Sequence, residues 1–237
     1  MLNKFKKILV LAGLLVISAG PVAAAIINVN YTVPSASYQV DIASSSPDAP
    51  FIGTTYGLEF EPIHLDFDED GANDLTTFAY CVDLARGVSD NDTYTVSLIK
   101  AAGTYKAAAW IMENYGGSGN LTTNAAAQIA IWETVYDDAP GDLYADRVIF
   151  SNFQSTTVEQ EANAIVAALA AEVASVGGSA NLTGLENYHV ATNVLDKQFL
   201  LVEVTPVPLP AAVWLFGSVL LGMIGFRKKG AALSRVH

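Results

Sequence analysis

The spacing of hydrophobic residues changes twice along this chain, and this change constrains the fold more than any other feature. Up to residue 99 apolar and polar residues alternate, which is typical of strands buried on one face. Between residues 106 and 176 the spacing is helical, and after residue 188 the alternation returns. This order predicts an α+β fold, in which antiparallel strands form a sheet or barrel with an inserted helical part.

Clusters of Pro, Gly, Ser and Asp separate the predicted elements. The expected strands are Ile26–Val33, Tyr38–Ile42, Thr54–Phe60, Thr76–Val82, Thr93–Ile99, Tyr188–Val194 and Phe199–Val204. The expected helices are Lys106–Tyr115, Asn124–Tyr136 and Thr156–Val176. We expect Thr123 or Asn124 to cap the second helix, Thr157 to cap the third, and Gly177–Gly178 to end the third.

The charge of the chain is strongly acidic and unevenly distributed. It has 12 Lys and Arg against 24 Asp and Glu, a net charge of -12 over 237 residues. All acidic residues lie between Asp41 and Glu203, whereas most basic residues lie near the two ends. Because a polyanion needs a basic surface, this composition excludes nucleic acid as a partner.

The first 25 residues have the features of an export signal. A lysine-rich start precedes an apolar run over Ile8–Ala19, and small residues follow at Val22–Ala25. This pattern predicts a secretory signal peptide at residues 1–25, cleaved by signal peptidase after Ala24 or Ala25. The folded body is then expected at residues 26–205.

The C-terminal segment, residues 206–237, combines the sequence VPLPA at residues 207–211 with an apolar stretch to Phe226 and a basic cluster at Arg227–Lys229. A helix over Ala211–Phe226 approaches membrane-spanning length, and the basic cluster would stay cytoplasmic. The segment resembles the VPLPA variant of the PEP-CTERM sorting signal of Gram-negative bacteria that make exopolysaccharide. This resemblance implies a transient anchor in the inner membrane, cleavage by an exosortase, and delivery to the cell surface or extracellular matrix.

Cys81 is the single cysteine of a chain that is expected to be exported. A lone thiol in an oxidising compartment tends to oxidise or cross-link, so its presence suggests chemistry. The alternative interpretation is a small buried apolar residue.

Three segments together resemble the thioester domains of bacterial surface adhesins, also called TQxA domains. They are the aromatic–Cys–hydrophobic sequence Tyr80–Val82, the helix sequence Gln128–Trp132, and a late glutamine at Gln198. Ala127 stands where the family has Thr, and the neighbours of Gln198 also depart from the family pattern. The resemblance implies that Cys81 forms an internal thioester with Gln198, and that Gln128 either orients the site or is itself the partner.

Thioester chemistry explains why such residues would be held together. An amide is a poor electrophile, so a thiol attacks it only when both groups are fixed in one place. The thioester is then an acyl donor to an amine on a surface target, which implies an attachment protein rather than an enzyme. We expect aromatic residues to exclude water from the bond, namely Tyr80, Tyr105, Trp110 and Trp132.

A short acidic segment has the spacing of a calcium loop. Its carboxylates fall at loop positions 1, 3, 5 and 9, with glycine at position 6: Asp66, Asp68, Asp70, Asp74 and Gly71. The segment predicts a calcium site, and the alternative is an acidic hairpin turn. It also supports a second function, a non-covalent structural or carbohydrate-binding matrix protein with exopolysaccharide as its target.

The order Cys81, His189 and Asn193 also permits a cysteine-hydrolase interpretation. No nucleophile turn surrounds Cys81, which lies on a predicted strand, so this interpretation is the weaker one.

Overall fold

The structure is a computed structural model that describes residues 24–29, 38–44, 51–57, 59–87, 89, 91–137, 141–193, 195 and 197–205. The chain divides into two units, Met1–Val204 and Thr205–His237, and every element described here belongs to the first. Of the predicted export segment at residues 1–25, only Ala24 and Ala25 are described. The predicted sorting segment at residues 206–237 lies outside the described residues. Within the described ranges, no helix is both long and apolar enough to span a bilayer.

Six antiparallel strands close into a barrel. In their order around it they are β1 (Ala24–Val29), β4 (Phe60–Asp66), β5 (Leu75–Cys81), β9 (Leu200–Glu203), β8 (Tyr188–Thr192) and β6 (Asp92–Lys100). Inward positions of β6, such as Tyr94 and Val96, are buried, while the residues between them are exposed. The predicted α+β fold, with antiparallel strands and an inserted helical part, is therefore confirmed, and its main sheet is a barrel.

A second sheet has three strands in the order β3 (Phe51–Tyr56), β2 (Gln39–Ser44) and β7 (Val148–Ser151). The sequence analysis did not predict β4 and β7 as separate strands. β7 has only four residues, too few for alternation to be recognised. The strand predicted at Thr54–Phe60 was wrong, because it joined the end of β3 to the start of β4 across Gly57.

Three helices lie in the chain between β6 and β8: α1 (Thr104–Tyr115), α2 (Leu121–Tyr136) and α3 (Thr156–Val176). α2 packs against both other helices and contacts β5, and it is buried without interruption from Asn124 to Thr134. A helix that is apolar on all sides belongs in such a central position. The buried stripe of α3 has helical spacing and comprises Val158, Ala162, Ile165, Val166 and Leu169.

The helix ends correct the predicted caps. Asn120 caps α2 by accepting a hydrogen bond from the Thr122 N–H, and Ser155 caps α3 by accepting one from the Val158 N–H. The caps predicted within 123–124 and at 157 were wrong, because those residues already lie inside the first turn. Gly177 ends α3 in the left-handed conformation at φ 74°, as predicted.

Gly57 fixes how closely α2 approaches the strands. A Cβ at this position would lie 2.6 Å from the carbonyl oxygen of Ala125 in α2. The backbone oxygen cannot move away without moving the helix, so only glycine permits this approach.

We expect Gly57→Ala to lower the free energy of unfolding by about 1–3 kcal/mol, because the added methyl group overpacks the contact with α2. Urea unfolding measures the change. Gly87→Ala is the matched control, since a Cβ there meets nothing within 4 Å, and it should change stability by less than about 0.5 kcal/mol. Equal effects of the two substitutions would contradict the close approach.

Candidate functional site

The register of β5 and β9 places Cys81 and Gln198 on the same face of the barrel sheet. Cys81 is paired with Leu200, and Gln198 lies two residues before Leu200. The pairing continues past β9, because the Val82 N–H donates to the Phe199 carbonyl oxygen at 3.0 Å. Side chains two residues apart share a face, and diagonal neighbours across an antiparallel pair are about 7–8 Å apart, within reach of a long side chain.

The side chain of Gln198 lies near the thiol of Cys81 and acts to lower its pKa. Both residues are buried, with 5% and 7% of their surfaces exposed. The carboxamide nitrogen of Gln198 also donates to the backbone oxygen of Asp83 at 2.9 Å, and the hydroxyl of Tyr94 donates to the Gln198 backbone oxygen at 3.2 Å. The structure therefore brings together the cysteine and the glutamine that the sequence analysis paired.

Gln128 holds the backbone of Cys81 through two hydrogen bonds. Its Oε1 accepts from the Cys81 N–H at 2.7 Å, and its Nε2 donates to the Cys81 carbonyl oxygen at 2.8 Å. Gln128 is completely buried, so its carboxamide needs these partners to offset the loss of water. Because both ends of the carboxamide are used on the peptide backbone, the geometry favours the orienting role over that of thioester partner.

Burial raises the pKa of the Cys81 thiol well above its ordinary value, and the nearby charge of Asp83 raises it further. The nearby Gln198 side chain acts in the opposite direction and has the weakest of the three effects on this pKa. The thiol is therefore protonated at neutral pH. A protonated, buried sulfur is protected from oxidation, and it reacts only with a group that is already held against it.

The aromatic residues described at the site are not those expected. Burial raises the pKa of the Tyr94 hydroxyl, and the nearby Cys81 and Asp92 add to this shift. The hydroxyl of Tyr136, the last residue of α2, accepts from the Leu84 N–H at 2.8 Å and donates to the Val82 carbonyl oxygen at 3.4 Å. Both tyrosines were missed, although the inward position of Tyr94 in an alternating strand was a usable signal.

The predicted aromatic residues lie elsewhere. Tyr80 precedes Cys81 on β5 and therefore points to the opposite face, where its hydroxyl donates to Glu59 at 2.7 Å. Trp110 packs edge-to-face against Tyr115 within α1. Trp132 is buried in the core, and Tyr105 is partly buried against it. None of the described hydrogen bonds or ring contacts joins these four residues to Cys81.

Glu59 ties the α1–α2 connection to the residue next to Cys81. Besides Tyr80, it accepts hydrogen bonds from the Gly117 N–H at 2.7 Å and the Asn124 side chain at 2.8 Å. Burial raises the pKa of this carboxyl, which shows that its charge depends on these donors. The start of α2 and β5 are thus joined on the side of the strand opposite the thiol.

The acidic segment forms the turn between β4 and β5. Ligand oxygens of Asp66, Asp68 and Asp74 lie within 4.8 Å of one another, the only such metal-ligand group among the described residues. Asp70 does not join this group, and its carboxylate accepts the Ala72 N–H at 2.7 Å. The predicted ligand set is therefore reduced to three residues, and calcium binding stays a prediction.

The histidine and asparagine of the hydrolase interpretation have other contacts. The ring of His189 pairs with the Asn187 carbonyl oxygen at 3.0 Å. The Asn193 side chain accepts from the Leu195 and Lys197 N–H groups and organises their loop. Neither residue has a described hydrogen bond to Cys81, so the geometry does not favour a cysteine hydrolase.

A buried carboxyl pair lies at the end of α2. Glu133 is fully buried and neither of its oxygens has a donor among the described groups. Burial raises the pKa of Glu133 to about 8, and Asp137, one turn further along, adds to the shift together with Asp146 and Asp142. Asp137 instead accepts the Val148 N–H at the start of β7. Glu133 therefore carries the proton at neutral pH, next to the Asp137 carboxyl.

Comparison with known proteins agrees with this site. A family model described as a thioester domain matches residues 78–175, somewhat less than half of the chain. The match includes Cys81 and Gln128 and ends before Gln198. It supports the thioester-domain resemblance, and the β5–β9 register adds the late glutamine. No curated protein and no solved structure matches the chain.

We expect Glu133→Gln to change the pH dependence of stability. The folded-state pKa of Glu133 is raised from 4.5 to about 8, so the stability supplied by its neutral form is complete below pH 4.5 and lost as the pH rises toward 8. Glutamine stays neutral at every pH. The variant should exceed wild type by about 1–3 kcal/mol at pH 8, and the difference should shrink toward pH 4.5.

Urea unfolding at a series of pH values measures this difference. Glu172→Gln, the same chemical change at a partly exposed position of α3, controls for the lost charge. If the difference in unfolding free energy between Glu133→Gln and wild type is the same at every pH, the raised pKa of Glu133 is wrong.

For the acidic turn we expect calcium to raise the melting temperature, because it binds only the folded loop. Asp68→Asn should abolish this rise, whereas Asp70→Asn should retain it, since Asp70 lies outside the converging group. Scanning calorimetry at millimolar calcium and in chelator gives the comparison. If the two variants respond alike, the three-residue site is wrong.

Proposed function

We propose that this protein is an exported attachment protein that carries an internal thioester between Cys81 and Gln198. The observation that carries the proposal is the register of β5 and β9, which places the buried side chains of Cys81 and Gln198 on one face, in a segment whose backbone Gln128 fixes. The matched thioester-domain family supports it.

Formation of the bond needs no other reactant. The sulfur of Cys81 bonds to Cδ of Gln198, the bond from Cδ to Nε2 breaks, and the thiol proton leaves with the nitrogen as ammonia. The hydrogen bond from Nε2 to the Asp83 carbonyl oxygen fixes the plane of the carboxamide before attack. The buried position of both residues supplies the proximity that an unreactive amide requires.

Use of the bond attaches the protein to its target. The nitrogen of a primary amine bonds to Cδ, the bond from Cδ to sulfur breaks, and a proton from the amine restores the thiol of Cys81. Each molecule does this once, so the protein acts as a covalent adhesin and not as an enzyme. The high pKa of the thiol makes it a reluctant leaving group, which slows loss of the bond to water.

The place of action follows from the sequence signals. A signal peptide at 1–25, cut by signal peptidase, and a VPLPA sorting segment at 206–237, cut by an exosortase, would deliver the body to the cell surface or extracellular matrix of a Gram-negative bacterium. There the targets would be amines of surface or matrix components. Acidic charge over the body suits recognition of such cationic groups.

Intact mass of the protein purified after export tests the proposal. We expect wild type to be lighter than its sequence by one ammonia, and both Cys81→Ala and Gln198→Ala to have their full masses. Gln128→Ala should reduce the fraction that carries the thioester, because the backbone of Cys81 loses two hydrogen bonds while both reactive groups stay.

Methylamine locates the reactive carbon. Incubation should add one methylamine to Gln198, restore a free thiol at Cys81, and leave Cys81→Ala unlabelled. Full mass in freshly purified wild type would contradict the thioester. Calcium-dependent retention on exopolysaccharide without methylamine labelling would favour the non-covalent matrix protein instead.

A further inference from the structure

The segment Asp83–Gly87 follows β5 shortly after Cys81 and is held against Gln198. Gln198 binds both ends of this segment, through its side chain to the Asp83 carbonyl oxygen and through its N–H to the Gly87 carbonyl oxygen at 3.3 Å. Ala85 and Gly87 are exposed, whereas Gln128, on the far side of Cys81, is completely buried. An amine from outside therefore reaches the sulfur past this segment.

The side chain of Arg86 contacts both parts of the chain that carry the reactive groups. It binds Asp83, which lies near Cys81, and Phe199, which follows Gln198. Its Nη1 lies 2.5 Å from Oδ2 of Asp83, two residues after Cys81. Its guanidinium carbon lies 4.7 Å from the ring centroid of Phe199, the residue after Gln198. A carboxylate and an aromatic face are the two groups that together bind an organic cation.

We propose that Asp83 and Phe199 form a cation-selective mouth to the thioester, which Arg86 fills until a cationic amine displaces it. This inference rests on the proposed function and adds the residues that choose the nucleophile. The ammonium group of a lysine side chain can replace the guanidinium on both partners. It then passes one proton to the Asp83 carboxylate, and the neutral amine attacks Cδ of Gln198. Water and hydroxyl groups are neutral and cannot replace the guanidinium.

Burial of Asp83 makes the replacement selective. The Asp83 side chain is 6% exposed, so it is costly to leave without a cation. Arg86 is 33% exposed, so its guanidinium can turn toward solvent when another cation takes over its contact with Asp83. The mouth therefore opens when another cation takes the place of Arg86, and the thioester is shielded from hydrolysis at other times.

Two nucleophiles of similar size distinguish this role from a structural one. Near pH 7.5 methylamine is a cation and hydroxylamine is neutral, so the ratio of their reaction rates with the thioester reports selectivity. We expect Asp83→Asn to lower this ratio by roughly tenfold. Arg86→Gln should raise the ratio by a similar factor, since the Asp83 carboxylate then has no guanidinium beside it. Hydrolysis should also be faster in Arg86→Gln. General loosening would speed both reactions and leave the ratio unchanged.

Lys197→Gln is the matched control. Lys197 lies beside Gln198 and forms an ion pair with Asp92 at 3.0 Å, so this change removes the same charge from a nearby pair that does not cover the sulfur. It should leave the ratio within about twofold of wild type. A ratio that Asp83→Asn and Arg86→Gln leave equally unchanged overturns the proposal.

A second measurement does not depend on the thioester. In Gln198→Ala, or in wild type if its mass shows no thioester, Cys81 is a free thiol in the full chain. Two methanethiosulfonate reagents, with a trimethylammonium or a sulfonate group, then report the charge preference of the approach. The cationic reagent should react faster, and Asp83→Asn should reduce its advantage by roughly tenfold.

The two results separate the two claims. Loss of the advantage in Asp83→Asn supports the cation-selective mouth even where no thioester has formed. Equal reagent rates with Asp83 intact overturn the mouth, even where the intact mass shows the thioester.

Discussion

The pair of hydrogen bonds between Gln128 and the peptide of Cys81 is the constraint on which the rest of the site depends. β4 begins at Phe60, opposite Ala79, so this strand does not extend to Cys81. The carboxamide of Gln128 pairs with both backbone groups of Cys81, in the way that a neighbouring strand would. Neither the buried carboxamide nor the buried peptide has water available, so each requires the other. This requirement fixes α2 against the end of β5.

The location of the thiol follows from this constraint. With β5 held on one edge by α2, its other edge pairs with β9, and the register places Gln198 on the face that bears the sulfur. Tyr94 and Tyr136 bind the same two segments from β6 and from the end of α2. The site thus joins the barrel to the helical part, and its two reactive residues are held by different layers of the fold. Such a site resists both water and accidental oxidation while the contact between the two residues is kept.

Local patterns of the sequence predicted the elements better than their partners. Alternation located β5 and β6, and helical spacing located α3 with its correct ends, because these features depend on residues within one element. The pairing of Cys81 with Gln128 could be inferred from a buried polar residue in an apolar helix, which must find a partner. β4 was missed because Pro62 and His64 interrupt its alternation.

The placement of Gln198 beside Cys81 was predicted only by the family resemblance, because no local pattern of the sequence indicates it. It depends on the register of two strands that the whole helical part separates in the chain, and a shift of one residue would turn Gln198 to the opposite face. The raised pKa of Glu133 likewise had no local signal, because only tertiary packing buries that carboxyl. The roles of Asp83 and Arg86 emerge only when the ring of Phe199 is placed beside them.

A crystal structure of the exported protein at high resolution would show directly whether Cys81 and Gln198 form a thioester, since it shows which atom is bonded to the sulfur of Cys81. We expect continuous electron density from this sulfur to the side-chain carbon of Gln198, with no amide nitrogen on that carbon. The carboxamide of Gln128 should remain intact and hydrogen-bonded to the peptide of Cys81. A free sulfur beside an intact Gln198 carboxamide, or a bond from the sulfur to Gln128, would contradict this expectation.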